Sequence, residues 1–233
     1  MKNILITGAS RGIGKSIAQT LCSNNLFLTA RNIDLLKQIP AKDYISCDLS
    51  EDISPLIEFI TQNKIDVLIN NAGEYLYKNT DELTQEEIQR QIKVNLEVPI
   101  ALSSICSKYM KKQRWGRIIN IGSISGVMGE PYACIYSATK AGLIGLSKSL
   151  GLELAEYGVT VNTINPGWVE TDLGMSSITD SEFTLEETLQ TIPQRRFVKP
   201  EEVAALVEYL ISDKAKGITG QSINICAGLS VGI

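Results

Sequence analysis

An α/β fold, a doubly wound parallel sheet of seven strands with helices on both faces, is the architecture this sequence predicts. Two observations carry it. Short runs that are apolar throughout alternate with stretches of helical periodicity along the 233 residues. Strands with no polar face belong in a parallel sheet that is covered on both sides. The first such run also breaks directly into a glycine-rich turn that opens a helix, the building unit of open parallel sheets.

Lys2–Thr7 reads as the first strand and Gly12–Asn24 as the first helix. Leu26–Ala30 is the second strand, and Ile33–Ile39 a short helix ended by Pro40. Tyr44–Cys47 is the third strand, Glu51–Asn63 a helix, and Ile65–Asn70 a fully apolar fourth strand. Thr84–Gln113 is one long helical region with Pro99 as its start or kink. Arg117–Ile121 follows as the fifth strand, then a helix over Cys134–Tyr157 and a sixth strand over Val159–Ile164. Pro200–Ser212 begins with proline and two acids, a strong helix start, and Gln221–Ile225 is the seventh strand. With no repeat and no linker, residues 1–233 read as one domain. Trp168–Phe197 lacks strong periodicity and reads as a substrate lid at about 172–197, where Met175, Ile178, Phe183 and Leu185 either line an apolar pocket or pack.

Composition excludes several functions. A net charge of −4 without a basic run argues against nucleic acid and anionic membrane as partners. The cysteines, five in number, form no C-x-x-C pair, which argues against a disulfide framework or a zinc knuckle and for a reducing cytoplasm. The N-terminal apolar run is too short for a signal peptide, and no stretch is long enough to span a bilayer. The sequence has no histidine. That removes the Ser-His-Asp triad, histidine metal ligands and the usual neutral-pH acid/base group, so no metal is expected and catalysis falls to Tyr, Lys, Cys or carboxylates.

Thr7-Gly8-Ala9-Ser10-Arg11-Gly12-Ile13-Gly14 lies between the first strand and helix, spaced G-x-x-x-G-x-G. Glycines there let the backbone approach a pyrophosphate, and the helix N-terminus adds free N–H groups. An acid at the end of the second strand would select NAD through the ribose 2′-OH. The sequence instead gives Thr29-Ala30-Arg31-Asn32, with Arg11 inside the turn and Asp34 carried off by the short helix. Two guanidinium groups favour a 2′-phosphate, so NADPH is expected, with NADH as the alternative.

Tyr136 and Lys140 are four residues apart on one helix face. An ammonium beside a phenol lowers its pKa, which suits proton transfer. The fifth strand runs into Gly122-Ser123-Ile124-Ser125-Gly126, placing Ser123 at the sheet edge where a hydroxyl can hold a carbonyl; Ser125 is its less favoured neighbour.

With Thr7-Gly8-x-x-x-Gly12-Ile13-Gly14, Asn70-Asn71-Ala72-Gly73, Asn95, Ser123, Tyr136-x-x-x-Lys140 and Pro166-Gly167 in order over the whole chain, the sequence resembles the short-chain dehydrogenase/reductase family. The resemblance implies a single Rossmann-type domain. It implies that Ser123 polarises the carbonyl, Tyr136 is the general acid or base, Lys140 holds the nicotinamide ribose, and Asn95 positions a water relaying protons to Lys140. It further implies that Gly8, Ser10, Arg11, Gly12, Ile13, Gly14 and Arg31 bind the cofactor, that Asp48 and Leu49 meet the adenine, that Asn71, Ala72 and Gly73 line its path, and that Pro166, Gly167, Val169 and Thr171 frame the nicotinamide.

Within the family the sequence is most similar to 3-oxoacyl-[acyl-carrier-protein] reductases, through Gly116–Ser123, Lys140–Gly145 and the run Arg196-Phe197-x-Lys199-Pro200-Glu201-Glu202. That similarity implies a 3-oxoacyl thioester substrate, an acidic acyl carrier protein as partner met by a basic cluster such as Lys111, Lys112 and Arg114, and a homotetramer or homodimer packed through Thr84–Gln113 and Cys134–Tyr157. Tyr157 stands where such reductases often carry arginine, and Ala227-Gly228 replaces their Gly-Gly. An alcohol, polyol or sugar dehydrogenase using the same residues is the alternative, and a non-catalytic dinucleotide-binding protein a third reading.

Overall fold

A computed structural model describes residues 1–175 and 184–231. Seven parallel strands form one sheet in the order β3-β2-β1-β4-β5-β6-β7. They are β1 Asn3–Thr7, β2 Asn25–Ala30, β3 Asp43–Ser46, β4 Val67–Asn70, β5 Gly116–Ile121, β6 Val159–Pro166 and β7 Ser222–Ile225. The order turns back between β1 and β4, and the loops leaving those two strands diverge to open a crevice at the carboxyl edge. Among the described residues the helices are α1 Gly12–Thr20, α2 Ile33–Leu36, α3 Ser54–Asn63, α4 Gln85–Ile92, α5 Val98–Gln113, α6 Ser125–Met128, α7 Cys134–Leu154, α8 Leu185–Thr191 and α9 Pro200–Ile211.

The doubly apolar strands are explained by what covers them. Ile4 and Ile6 point to one face, against Ile17 and Ala18 of α1 and Val203, Val207 and Leu210 of α9. Leu5 points to the other, against Leu56 and Ile60 of α3, Leu102, Cys106 and Met110 of α5 and Leu154 of α7. The two-residue period of a strand thus feeds two cores.

Three elements differ from the sequence expectation. Thr84–Gln113 is not one helix: a π-helical turn at Lys93–Glu97 separates α4 from α5. Pro99 follows that turn and sits in the first turn of α5. Within Trp168–Phe197, α8 is started by a capping box in which Thr184 and Glu187 bond each other's backbone N–H. Seven residues are too few for periodicity to reveal it. In that segment Met175 and Leu185 are exposed, whereas Ile178 and Phe183 lie outside the described residues. The short α6 is also absent from the sequence reading, because it is a single turn set by the chain leaving β5.

A buried polar ladder fixes α7 on the sheet. Asn70 of β4 donates to Asn120 of β5 (2.8 Å), Asn120 donates to Ser147 of α7 (2.9 Å), and Ser147 bonds Thr163 of β6 (2.7 Å). All four residues are buried, so each amide or hydroxyl depends on the next. Asn120→Ala removes the central member and strips Asn70 and Ser147 of a partner. It is expected to cost about 1–3 kcal/mol, read as a lower urea midpoint at unchanged slope. A midpoint equal to the parent's would show that the ladder contributes nothing.

Candidate active site

A cleft of about 570 Å³ opens at the carboxyl edge of the sheet. Gly8, Ser10, Arg11, Gly12, Ile13, Arg31, Asp48, Leu49, Asn71, Ala72, Gly73, Ser123, Tyr136, Lys140, Pro166, Gly167, Val169 and Thr171 all line it. Two residues expected there do not: Gly14 and Asn95 stand behind its wall. A β-carbon on Gly14 would fall inside van der Waals contact of the Gly8 carbonyl and the Asn71 amide, so Gly14 lets α1 pack under the turn instead of touching a ligand. Gly8 has φ +66°, and a β-carbon there would come within 2.9 Å of Ala72 Cα.

The two loops of the crevice are stitched together. Thr7 Oγ1 accepts the backbone N–H groups of Asn71 and Ala72, each at 3.0 Å. Asn71 Nδ2 returns bonds to the carbonyls of Thr7 (2.9 Å) and Gly8 (3.2 Å). Arg11, at the N-cap of α1, makes no side-chain cap. The first-turn N–H groups of α1 are therefore left for an anion, beside a turn where Gly8 and Gly12 carry no β-carbon to hinder it.

At the β2 end, Arg31 and Arg11 are both largely exposed on the cleft. Arg31 lies 3.7 Å from Glu74, whose carboxylate is gripped by Arg90 through two bonds of 2.6 and 2.8 Å. Arg11 faces Asp172 at 3.9 Å. Asp48 accepts bonds from the Ser50 backbone and hydroxyl, which hold its carboxyl below the usual range.

At the opposite end stand Ser123, Tyr136 and Lys140. Lys140 is 3 % exposed, and its Nζ donates to the Ile121 carbonyl at 2.9 Å. Burial drags its ammonium down to about 8. Tyr136 has its hydroxyl near that of Ser123. The expected lowering of its phenol by Lys140 is not found. Burial pushes it up to about 12, Ser123 lowers it, and the Glu130 carboxylate raises it; Lys140 Nζ sits 5.5 Å from the ring centre. The sequence shows that lysine and tyrosine share a face but not how much water each loses.

Asn95 is fully buried in the π-helical turn. Its Oδ1 accepts the Glu74 N–H and its Nδ2 donates to the Glu74 carbonyl, both at 2.8 Å, so it clamps the loop after β4. Inserted π turns recur at functional sites because they re-aim one side chain. Lys140 Nζ and Asn95 Oδ1 both lie close to where a β-carbon on Gly73 would stand, at 3.3 and 3.4 Å.

Three cleft residues escaped the sequence reading. Glu130 accepts Ser125 Oγ at 2.6 Å and Tyr75 Oη at 2.7 Å, and Glu74 bridges Arg31 and Arg90. No motif marks Glu130 or Tyr75, which meet only through the fold; Glu74 follows Asn70-Asn71-Ala72-Gly73 directly, the one available signal. The basic cluster is displaced from its expected place. Lys111, Lys112 and Arg114 end α5 just before β5 begins, at the amino edge of the sheet, and none lines the cleft. Lys111 pairs with Glu153, and Tyr157 packs beside Lys111 and Arg114 at that far edge.

A family model described as enoyl-(acyl carrier protein) reductase matches residues 8–230. The chain belongs to the short-chain dehydrogenase/reductase family. It is 38 % identical to a 3-oxoacyl-[acyl-carrier-protein] reductase of Rickettsia felis, over 98 % of this chain and 96 % of that protein. Its backbone is similar to that of a single-residue variant of actinorhodin polyketide ketoreductase with NADPH, at 34 % identity and TM-score 0.92, covering 99 % of this chain and 97 % of the other. It is also similar to YwfH, an NADPH-dependent reductase involved in bacilysin biosynthesis, at 28 % identity and TM-score 0.93, covering 100 % and 99 %.

As a short-chain dehydrogenase/reductase the chain is an NAD(P)-dependent oxidoreductase. The site fits the dinucleotide on its own evidence: an uncapped helix start, a turn that a β-carbon would close, and cations at one end. Among the described residues no helix is long and apolar enough to cross a membrane, and no three His, Cys, Asp or Glu side chains gather as a metal site.

Lys140 also makes a stability prediction. Between about pH 8 and 10.5 the unfolded chain keeps this proton and the folded chain has lost it, so stability rises with pH. Below pH 8 both states are protonated and the desolvation penalty is present in full. The stability of the parent relative to Lys140→Met is therefore expected to increase from pH 8 to 10, measured by urea unfolding of both. A flat difference would remove the desolvation argument.

Proposed function

We propose that this chain is an NADPH-dependent reductase of 3-oxoacyl thioesters, acting in the direction of the 3-hydroxy product. The observation that carries the reading is the placement of Ser123, Tyr136 and Lys140 at one end of a cleft whose other end presents Arg31 and Arg11. The Rickettsia felis relative named as a 3-oxoacyl-[acyl-carrier-protein] reductase, and the ketoreductase with NADPH, support the substrate and the cofactor.

When bound, the nicotinamide supplies the hydride. Gly8, Ser10, Gly12 and Ile13 would cradle its pyrophosphate, Arg31 and Arg11 would take the 2′-phosphate, Asp48 and Leu49 would meet the adenine, Asn71, Ala72 and Gly73 would border its path to Lys140, and Pro166, Gly167, Val169 and Thr171 would frame the nicotinamide. Ser123 turns its hydroxyl proton from Ser125 Oγ to the substrate carbonyl oxygen and draws electron density onto it. Tyr136 gives its phenolic proton to the same oxygen as the alcohol forms. A phenol held near 12 surrenders a proton slowly on its own; the Ser123 hydroxyl favours the phenolate that results. Lys140 then restores the proton, drawing on a water held at Asn95, whose Oδ1 keeps a second lone pair beyond its Glu74 bond. The segment 172–197 acts as the lid. Its near end is tied to the glycine turn through Asp172 and Arg11, and its flanks by the bridge between Val169 and Val198.

Tyr136→Phe is expected to lower kcat for acetoacetyl-CoA with NADPH by about 10²-fold or more. Parent-like turnover in that variant would reject the mechanism, and no thioester turnover in the parent would reject the substrate. Arg31→Ala is expected to weaken NADPH binding about tenfold relative to NADH in fluorescence titrations, the loss of one charge-assisted contact. An unchanged ratio would move 2′-phosphate recognition elsewhere.

A further inference from the structure

We propose that Glu130 determines which carbonyl compounds the cleft accepts: it rejects substrates that carry a carboxylate near the reacting carbonyl and admits neutral acyl arms. The inference rests on the 3-oxoacyl reading for the name of the admitted arm, a thioester in place of the free 3-oxo acid, and on geometry for the rest.

Glu130 lines the same cleft as Tyr136, and both of its oxygens are fixed. Oε2 accepts Ser125 Oγ at 2.6 Å, and Ser125 Oγ in turn accepts Ser123 Oγ at 3.0 Å. The carboxylate is therefore two hydrogen bonds from the hydroxyl that faces the substrate carbonyl. Oε1 accepts Tyr75 Oη at 2.7 Å, and the Tyr75 ring stands edge-on to Tyr136, centres 5.1 Å apart. Pro131 restricts the Glu130 backbone to extended conformations, and the bonds from Ser125 and Tyr75 hold its side chain. Among the described residues no lysine or arginine pairs with it.

A fixed negative charge without a cationic partner acts on the charge of what enters the cleft. Ser125 and Tyr75 supply two donors to it, and an incoming carboxylate brings only acceptors. Such a substrate meets repulsion and, among the described residues, finds no free donor beside Glu130. A neutral ester or thioester meets neither, which is discrimination by an unfavourable contact with the wrong ligand.

The test compares compounds that differ in that charge. kcat/KM is measured with NADPH for ethyl acetoacetate against acetoacetate, and for butane-2,3-dione against pyruvate, in the parent, Glu130→Gln and Glu130→Asp. The readout is the ratio of neutral to anionic substrate, not either rate. The parent is expected to prefer the neutral member of each pair. Glu130→Gln is expected to shrink the ratio about tenfold, and Glu130→Asp, which keeps the charge, to retain most of it. A merely structural role would be rescued as well by glutamine as by aspartate. A parent without preference, or a ratio unmoved in Glu130→Gln, overturns the proposal.

Turnover of the dione but not of the 3-oxo ester would reject the 3-oxoacyl reading, and the dione–pyruvate ratio would still decide the role of Glu130. Trp168 lines the cleft, so its fluorescence also reports binding of each compound without turnover. If Glu130→Gln does not fold, equal binding of acetoacetate and its ethyl ester by the parent overturns the proposal, and tighter binding of the ester supports it.

Discussion

The arrangement depends on one buried ammonium. Lys140 has little water around it, and the Ile121 carbonyl accepts a hydrogen bond from its Nζ at 2.9 Å. A charge in that position is expensive unless it is hydrogen-bonded. Helix α7 must therefore lie where Lys140 reaches the carboxyl end of β5. The buried bonds from Ser147 to Asn120 and Thr163, two turns further along, hold it in the same register. With α7 fixed at two points, Tyr136 has little choice of position. One turn before Lys140, it falls beside Ser123, which leaves β5 just after Ile121. The proposed proton donor and its hydroxyl partner thus come from one constraint on one helix. The same burial that fixes Lys140 also lifts the Tyr136 phenol, so precision of placement and ease of ionisation pull in opposite directions.

Much of this is legible in the chain because the informative signals are local. The glycine turn announces itself in Gly8, Gly12 and Gly14, since close approach of backbone needs those residues whatever surrounds them. The strands are legible because Ile4, Leu5 and Ile6 are apolar in succession, which only a sheet covered on both faces explains. The ends of β4 and β5 carry Asn71 and Ser123 to one edge, and parallel topology brings all such ends together.

What is not legible is set by distance in space. Glu130 and Tyr75 are 55 residues apart and share a bond that no spacing announces. Lys111, Lys112 and Arg114 read as a charge cluster, and only the direction of α5 shows that they stand at the wrong edge. Pro99 marks the start of α5, but nothing in the sequence shows that the turn before it is π-helical and puts Asn95 against the Glu74 loop. Gly14 reads as a ligand contact because sequence cannot separate a glycine that admits a phosphate from one that admits a helix.

The loop after β4 ties the two ends of the cleft together. Asn95 clamps the Glu74 backbone from the side of Lys140, and Arg90 grips its carboxylate from α4. That carboxylate also reaches Arg31 at 3.7 Å, but the contact is long, and the Arg31 side chain is 61 % exposed. An ion pair of that kind holds its partner weakly. A phosphate offers the guanidinium two short, charge-assisted bonds and more charge than one carboxylate. Glu74 would lose that competition without moving, because Arg90 keeps it paired through two shorter bonds. The arrangement leaves Arg31 free to change partner, while the backbone that Asn95 holds stays in place.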